Sequence, residues 1–223
     1  MSDERNSRRN VLQPGISISS RNSTNGTLGL IVFDRKNNHA PCILSNWHVL
    51  AARKPKSFGW SLKPGAVVYQ PGKIKGGKKR KNVVAKLVRS SLLLDCAISR
   101  IIEREFTLDI FESGITITST RLPVVGDFVE KSGTRSGVTQ AKVKSVEGDW
   151  VHLEPVEKGN PGGIEISKSG DSGSVWYDPE TGEGLLLHSE GDSDDNVHIE
   201  TASGLILQKV LDELDVSLQP KEG

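Results

Sequence analysis

The stretch Ser167–Tyr177, SKSGDSGSVWY, places glycine, aspartate and serine immediately before an apolar run. Those three residue types favour turns because they tolerate tight backbone geometry and hydrogen-bond locally. By itself the stretch admits two readings: a polar turn entering a strand, or a loop that presents Ser172 as a nucleophile. Deciding between them takes a base, an orienting acid and a scaffold from elsewhere in the chain.

The length of 223 residues fits one large all-β unit or two small domains. A formal net charge of +1 supplies no global attraction to nucleic acid or to a membrane surface. Abundant glycine, 23 residues, and a modest apolar content of 35% suit short strands and tight turns better than long helices. Two cysteines, Cys42 and Cys96, do not make a disulfide framework. The opening MSDERNSRRN lacks the apolar core of a secretory signal. No stretch approaches the roughly 18 apolar residues of a transmembrane helix. A soluble, cytoplasmic protein with free thiols and no membrane partner is expected.

Residues 1–25 are polar and rich in Ser, Asn and Arg, which reads as a flexible N-terminal arm. LGLIVF (28–33) and APCILSN (40–46) flank a turn-like DRKNNH, as in a hairpin. GAVVYQPG (65–72), NVVAKLVRS (82–90) and CAISRII (96–102) continue a first unit over 26–112. GDFVEKSG (126–133), TQAKVKSVEG (139–148) and DWVHLEP (149–155) alternate apolar and polar residues, the period of half-buried strands. With GSVWYD and GEGLLLHSEGD they make a second unit over 113–200. Helical period is confined to 201–217, where Leu205, Leu207, Val210, Leu211 and Leu214 form a stripe and Thr201 is placed to cap it. The rhythm predicts an all-β chain of two successive β-barrels or sandwiches with a C-terminal α-helix.

A serine nucleophile needs a base within hydrogen-bond reach and a carboxylate to orient that base. Of the five histidines, His39, His152 and His198 sit in polar or solvent-facing contexts. His48, in ILSNWHVLAA, stands where an apolar strand breaks off; His188 ends the apolar run LLLH. Asp95, in SLLLDCAISR, is flanked by apolar residues, where an unpaired carboxylate pays a desolvation cost. An imidazole N–H would satisfy it; so would a backbone turn at a strand end.

Taken together, three segments resemble trypsin-like serine peptidases of the intracellular or bacterial type. LSNWHV is similar to the histidine motif, LLLDCAIS to the aspartate motif with Cys96 in place of an aliphatic residue, and SGDSGS to the nucleophile motif. The order His48, Asp95, Ser172 is the chymotrypsin order, whereas α/β-hydrolases place serine first. EKSGTRSGVTQAKV (130–143) is also similar to a segment of some intracellular members. The resemblance implies two six-stranded β-barrels of chymotrypsin type, with His48, Asp95 and Ser172 as the catalytic residues in the cleft between them. It implies an oxyanion hole from the backbone N–H groups of Gly170 and Ser172. It places Ile166, Ser167, His188, Ser189 and Gly191 around the bound substrate. A serine and a histidine at those places resemble the pockets of peptidases that cut after Glu or Gln, although His188 could equally be a satisfied wall residue. The implied partner is a protein or peptide substrate, with no cofactor. Family members often hold the aspartate before the nucleophile with a freed N-terminus; none is evident, so other contacts are expected to hold Asp171, with activity constitutive or switched by a regulatory partner. The alternative is a non-catalytic peptide-binding scaffold on the same fold.

Two charged stretches stand outside this scheme. GKIKGGKKRKN (72–82) carries six Lys or Arg but no interleaved aromatic residue, so a solvated loop is favoured over nucleic-acid binding. SEGDSDDN (189–196) carries Glu190, Asp192, Asp194 and Asp195 without the spacing of a calcium loop. No zinc spacing or phosphate-binding glycine loop is present.

Overall fold

The structure is a computed structural model that describes residues 4–21, 23, 25–51, 63–72, 80–156, 165–191 and 200–221. Residues 73–79 of the basic stretch, together with Asp192, Asp194, Asp195 and His198, lie outside the described residues.

The first half comprises β1 (Val11–Leu12), β2 (Ser17–Ser20), β3 (Gly26–Thr27), β4 (Leu30–Asp34), β5 (Ala40–Ser45), the single-turn helix α1 (Trp47–Leu50), β6 (Val67–Tyr69), β7 (Val83–Ser91), β8 (Cys96–Ile101) and β9 (Glu105–Phe106). The second comprises β10 (Phe128–Gly133), β11 (Gly137–Glu147), β12 (Trp150–Glu154), β13 (Val175–Tyr177), β14 (Gly184–Gly191), β15 (Ala202–Ile206), α2 (Leu207–Glu213) and β16 (Val216–Ser217). Strands β10-β11-β12-β15-β14-β13 close into a six-stranded barrel. Seven strands of the first half, joined by β16 from the end of the chain, form an eight-stranded sheet ordered β16-β4-β5-β8-β7-β6-β2-β3. It curls toward closure because Leu28, leading into β4, bonds back to the β2 segment: its N–H donates to Ile16 O at 2.9 Å and its carbonyl accepts from Gly15 N at 2.8 Å.

Side-chain alternation explains why the first-half strands read as unbroken apolar runs. In β4, β5 and β8, Ile31, Ile43 and Ala97 fill the interior of the first half. Their neighbours Leu30, Val32, Cys42, Leu44, Cys96 and Ile98 face the other way, onto Val175, Tyr177, Leu187, Leu205 and helix α2. Both faces are buried, so neither needs polar residues. Each such aliphatic side chain contributes roughly 1.5–3 kcal/mol relative to exposure. The second barrel has its own interior of Val129, Val143, Val151, Leu153, Ile166, Trp176 and Leu186. The shared apolar seam between the halves is the platform on which the candidate site stands.

Two boundaries depart from expectation. Within the first 25 residues, Leu12, Ile16 and Ile18 are fully buried and Ser17–Ser20 is a strand, so this segment is no loose arm. The short alternation Ile16-Ser17-Ile18-Ser19 is enough to seat a strand once a partner sheet exists. The C-terminal helix spans only Leu207–Glu213, with Ile206 rather than Thr201 at its N-cap. Ala202–Ile206 instead forms the strand that joins β12 to β14, because closing the barrel satisfies its backbone on both sides. After the helix, Val216–Ser217 crosses back and pairs with β4.

Candidate active site

His48 lies on α1, which starts where β5 ends. The chain around it is fastened to Asp95, in the turn between β7 and β8. Asn46 Nδ2 and the Trp47 amide both donate to the Asp95 carbonyl at 3.0 Å. The His48 amide donates to Asp95 Oδ1 at 3.1 Å. Asp95 itself has φ +38°, a left-handed conformation that costs a non-glycine residue about 1–3 kcal/mol and persists where surrounding contacts fix it. His48 Nδ1 sits 2.8 Å from Asp95 Oδ2 and 3.0 Å from Oδ1. An ionised carboxylate can only accept, so Nδ1 carries the proton and Nε2 keeps a lone pair. That is the tautomer a general base requires. The imidazole remains 39% exposed while the carboxylate is 18% exposed, so the ring is reachable and its partner shielded.

Ser189, expected only to pair with substrate, joins the two halves of the site. Its hydroxyl donates to Asp95 Oδ2 at 2.5 Å, and its carbonyl accepts from Ser172 Oγ at 3.2 Å. Ser172 thus spends its hydrogen bond on Ser189 rather than on His48. Such contacts between nucleophile and base often tighten only around substrate.

The loop that carries Ser172 is packed against the first half. The Thr27 amide donates to Ser172 O at 2.8 Å, and the Thr27 hydroxyl donates to Gly170 O at 2.9 Å. Within the loop, the Asp171, Gly173 and Ser174 amides donate to Lys168 O, His188 O and Asp171 O. Among the described residues, the Gly170 and Ser172 amides have no hydrogen-bond partner. Gly170 adopts φ +114°, a region that only glycine enters without strain.

Asp171 is held by a residue the sequence did not point out. Lys131 Nζ lies 3.1 Å from Asp171 Oδ2, and both side chains are fully buried. The carboxylate also accepts the amides of Arg135 (2.7 Å), Ser136 (3.1 Å) and Lys168 (2.8 Å). Burial alone would raise the Asp171 pKa; the Lys131 ammonium and these donors overcome it and hold the carboxyl at about 2. Burial pushes the Lys131 ammonium below its usual range, against the opposing pull of Asp171. Gly133 makes room for the pair, since a Cβ there would meet Asp171 Oδ1 at 2.4 Å. A signal for Lys131 was present: β10 alternates, Val129 points inward, and Lys131 has the same phase.

The expected substrate-binding residues divide. Ile166 turns into the barrel core, and its carbonyl accepts from Thr139 Oγ1 at 2.8 Å. Ser167 is buried, its Oγ without a hydrogen-bond partner among the described residues, and it lies so close to Gly191 that a Cβ on residue 191 would sit 1.7 Å from that oxygen. His188 is buried, and its Nδ1 accepts from Trp176 Nε1 at 3.3 Å, which leaves the proton on Nε2. Burial, reinforced by the nearby Lys131 charge, lowers its pKa to about 3, so the ring is neutral at physiological pH. Trp176 in turn stacks against Lys131, whose Nζ is 5.1 Å from the ring centroid, so Asp171, Lys131, Trp176 and His188 form one continuous buried row. Among the described residues, no three His, Cys, Asp or Glu side chains cluster to hold a metal ion, and no helix is long and apolar enough to cross a membrane.

The sequence matches no protein-family model and no curated protein. Solved structures do resemble the fold. A glutamic acid-specific serine protease described as using a histidine triad in substrate binding superposes with a TM-score of 0.65 at 19% identity, covering 93% of this chain and 100% of the other. Thermobifida fusca protease A gives 0.64 at 15% identity, covering 95% and 100%. A Nocardiopsis protease gives 0.61 at 13% identity, covering 92% and 97%. At these identities the likeness establishes the chymotrypsin-type fold.

Proposed function

We propose that this protein is a serine endopeptidase acting through His48, Asp95 and Ser172. The observation that carries the proposal is the fixed His48–Asp95 pair, with Nε2 left as a lone pair and Ser189 linking Asp95 to Ser172. In the reaction, His48 Nε2 removes the Ser172 hydroxyl proton as Oγ attacks the peptide carbonyl carbon. The carbonyl oxygen gains negative charge and is received by the Gly170 and Ser172 amides. The C–N bond then breaks, His48 delivers its proton to the leaving amine, and an acyl-enzyme ester remains. Water, deprotonated by His48, attacks that ester, and the Ser172 oxygen leaves with the proton as the acid product is released. Asp95 holds the imidazole tautomer and stabilises the imidazolium. Each oxyanion donor is worth on the order of 10²–10³ in rate.

The primary specificity we assign is cleavage after Glu or Gln. His188 Nε2–H and the Ser167 hydroxyl, which has no partner among the described residues, are two donors that a substrate carboxylate or amide oxygen can accept from. The superposition on a glutamic acid-specific protease supports the same choice. The buried free thiols of Cys42 and Cys96 accord with the cytoplasm as the working compartment. Labelling with a fluorophosphonate tests the chemistry: wild type should be modified and Ser172→Ala should not. A folded wild type that resists labelling would favour the peptide-binding scaffold. Cleavage profiling on a peptide library tests specificity, and enrichment of Lys or Arg before the cut would refute the role of His188.

A further inference from the structure

Residues 4–9 lie across both halves beside the segment that holds Asp171. Arg5 is the anchor, with only 6% of its surface exposed. Its Nη1 donates to Ser132 Oγ at 2.6 Å and to Gly15 O at 3.4 Å, and its Nη2 pairs with Glu112 Oε2 at 2.5 Å. The guanidinium carbon stands 5.0 Å from the Phe111 ring centroid. Ser132 Oγ, having accepted from Arg5, donates to Phe111 O at 2.7 Å. One residue on, Asn6 Nδ2 donates to Thr134 O at 3.4 Å. The segment is further tied by Gln70, which accepts from the Arg9 amide and donates to Ser7 O.

Ser132 and Thr134 bracket Gly133, the residue on which Asp171 rests. Lys131 precedes them with the counterion, and Arg135 and Ser136 follow with two of the amides that Asp171 accepts. The Thr134 amide donates to Thr27 Oγ1 at 3.1 Å, and that hydroxyl donates to Gly170 O. Among the described residues, every partner of the Asp171 carboxylate except the Lys168 amide therefore belongs to the 131–136 strap, which residues 5 and 6 grip at both sides of Gly133. A buried guanidinium on a hydroxyl and a carboxylate fixes geometry more tightly than a neutral contact does.

We propose that Arg5 is a positioning residue for the oxyanion loop: docked on Ser132 and Glu112, it fixes the 131–136 strap and through Asp171 the backbone of residues 170–172. This rests on the hydrolytic mechanism above for its catalytic consequence, but not for its structural one. The role that the resembling family gives to a chain terminus is then shared by two internal cations, Lys131 in contact with Asp171 and Arg5 behind the strap.

The test uses Arg5→Ala and Ser132→Ala in the full chain, with three readouts. Hydrogen exchange at the Asp171, Gly173 and Ser174 amides should rise about tenfold or more relative to wild type while the α2 and β5 amides stay protected. The fluorophosphonate labelling rate and kcat should fall about 10- to 100-fold with KM changed little, as expected for misplaced rather than absent groups. Added guanidinium ion should recover part of the Arg5→Ala loss and none of the loss in Ser172→Ala. Unchanged exchange over 170–174 in a folded variant overturns the proposal, as does wild-type labelling. If Arg5→Ala fails to fold, Ser132→Ala decides by the same criteria. A wild type that never labels defeats the hydrolytic mechanism instead, and the exchange measurement still decides the coupling of Arg5 to the loop.

Discussion

Replacing Lys131 by Met keeps an unbranched stem against Trp176 and removes only the ammonium that faces Asp171. Both partners are fully buried, and stripping one member from a buried ion pair costs about 3–5 kcal/mol, because the other charge is left behind. Three backbone amides would still serve the carboxylate. That places the expected cost near the lower end, about 3 kcal/mol. For a chain of this size each kcal/mol moves Tm by about 2–4 °C, so a fall of roughly 6–12 °C is expected at pH 7. The pH dependence carries more information. In the wild type the Asp171 pKa is about 2 against an ordinary 3.8. A depressed carboxylate contributes stability above its ordinary pKa and loses it as pH falls from about 4 through about 2. The amount is roughly 2–3 kcal/mol. In the variant, burial is opposed by hydrogen bonds alone and the pKa moves up, so protonation relieves the strain at milder acidity. The stability gap between the two proteins should therefore narrow as pH falls from 7 to 3. Thermal or urea melts at several pH values measure it. A variant melting within 2 °C of wild type at pH 7, or a gap that stays constant down to pH 3, would refute the assignment of Lys131 as the ion that holds Asp171.

Further expectations follow from the same geometry. Ser189→Ala removes a hydroxyl that donates to Asp95 Oδ2; a hydrogen bond to a charged group is worth about 1.5–3 kcal/mol, so Tm should fall by about 3–12 °C, and kcat/KM on a peptide substrate should drop about 10- to 100-fold as His48 loses its fixed partner. His188 stays neutral to about pH 3 in the folded protein, while in the unfolded chain it takes a proton near its ordinary 6.5. Native stability should thus decline as pH falls from 6.5 toward 3, by about 1.4 kcal/mol per unit, and His188→Gln should flatten that limb of the stability curve. Gly133→Ala puts a Cβ 2.4 Å from Asp171 Oδ1; retention of wild-type labelling and melting in that variant would show that the strap has slack the structure does not indicate.

The motifs around His48, Asp95 and Ser172 were legible because each is a local signature: a strand ending at a histidine, an aspartate inside an apolar run, a glycine-flanked serine in a turn. Most strands were legible for the same reason, since period-2 alternation and turn residues are written in consecutive positions. Errors came where a local pattern competed with a distant backbone. Ala202–Ile206 carries part of a helical stripe, yet its N–H and C=O groups are claimed by β12 and β14. Ile16 and Ile18 look isolated in a polar segment, yet the curled sheet offers them an interior.

Strand period, turn chemistry and the presence of a base, an acid and a hydroxyl are properties of neighbours along the chain, so the kind of fold and the three residues proposed to react could be read there. What holds those residues in place is set by packing between distant segments. Lys131 is 40 positions from Asp171 and Arg5 is 127 from Ser132, and Ser189 reaches Asp95 across the seam between the halves. A buried charge takes whichever counterion the packed sheets bring within about 3 Å, and that proximity is created by barrel closure, not by any spacing that can be read along the chain.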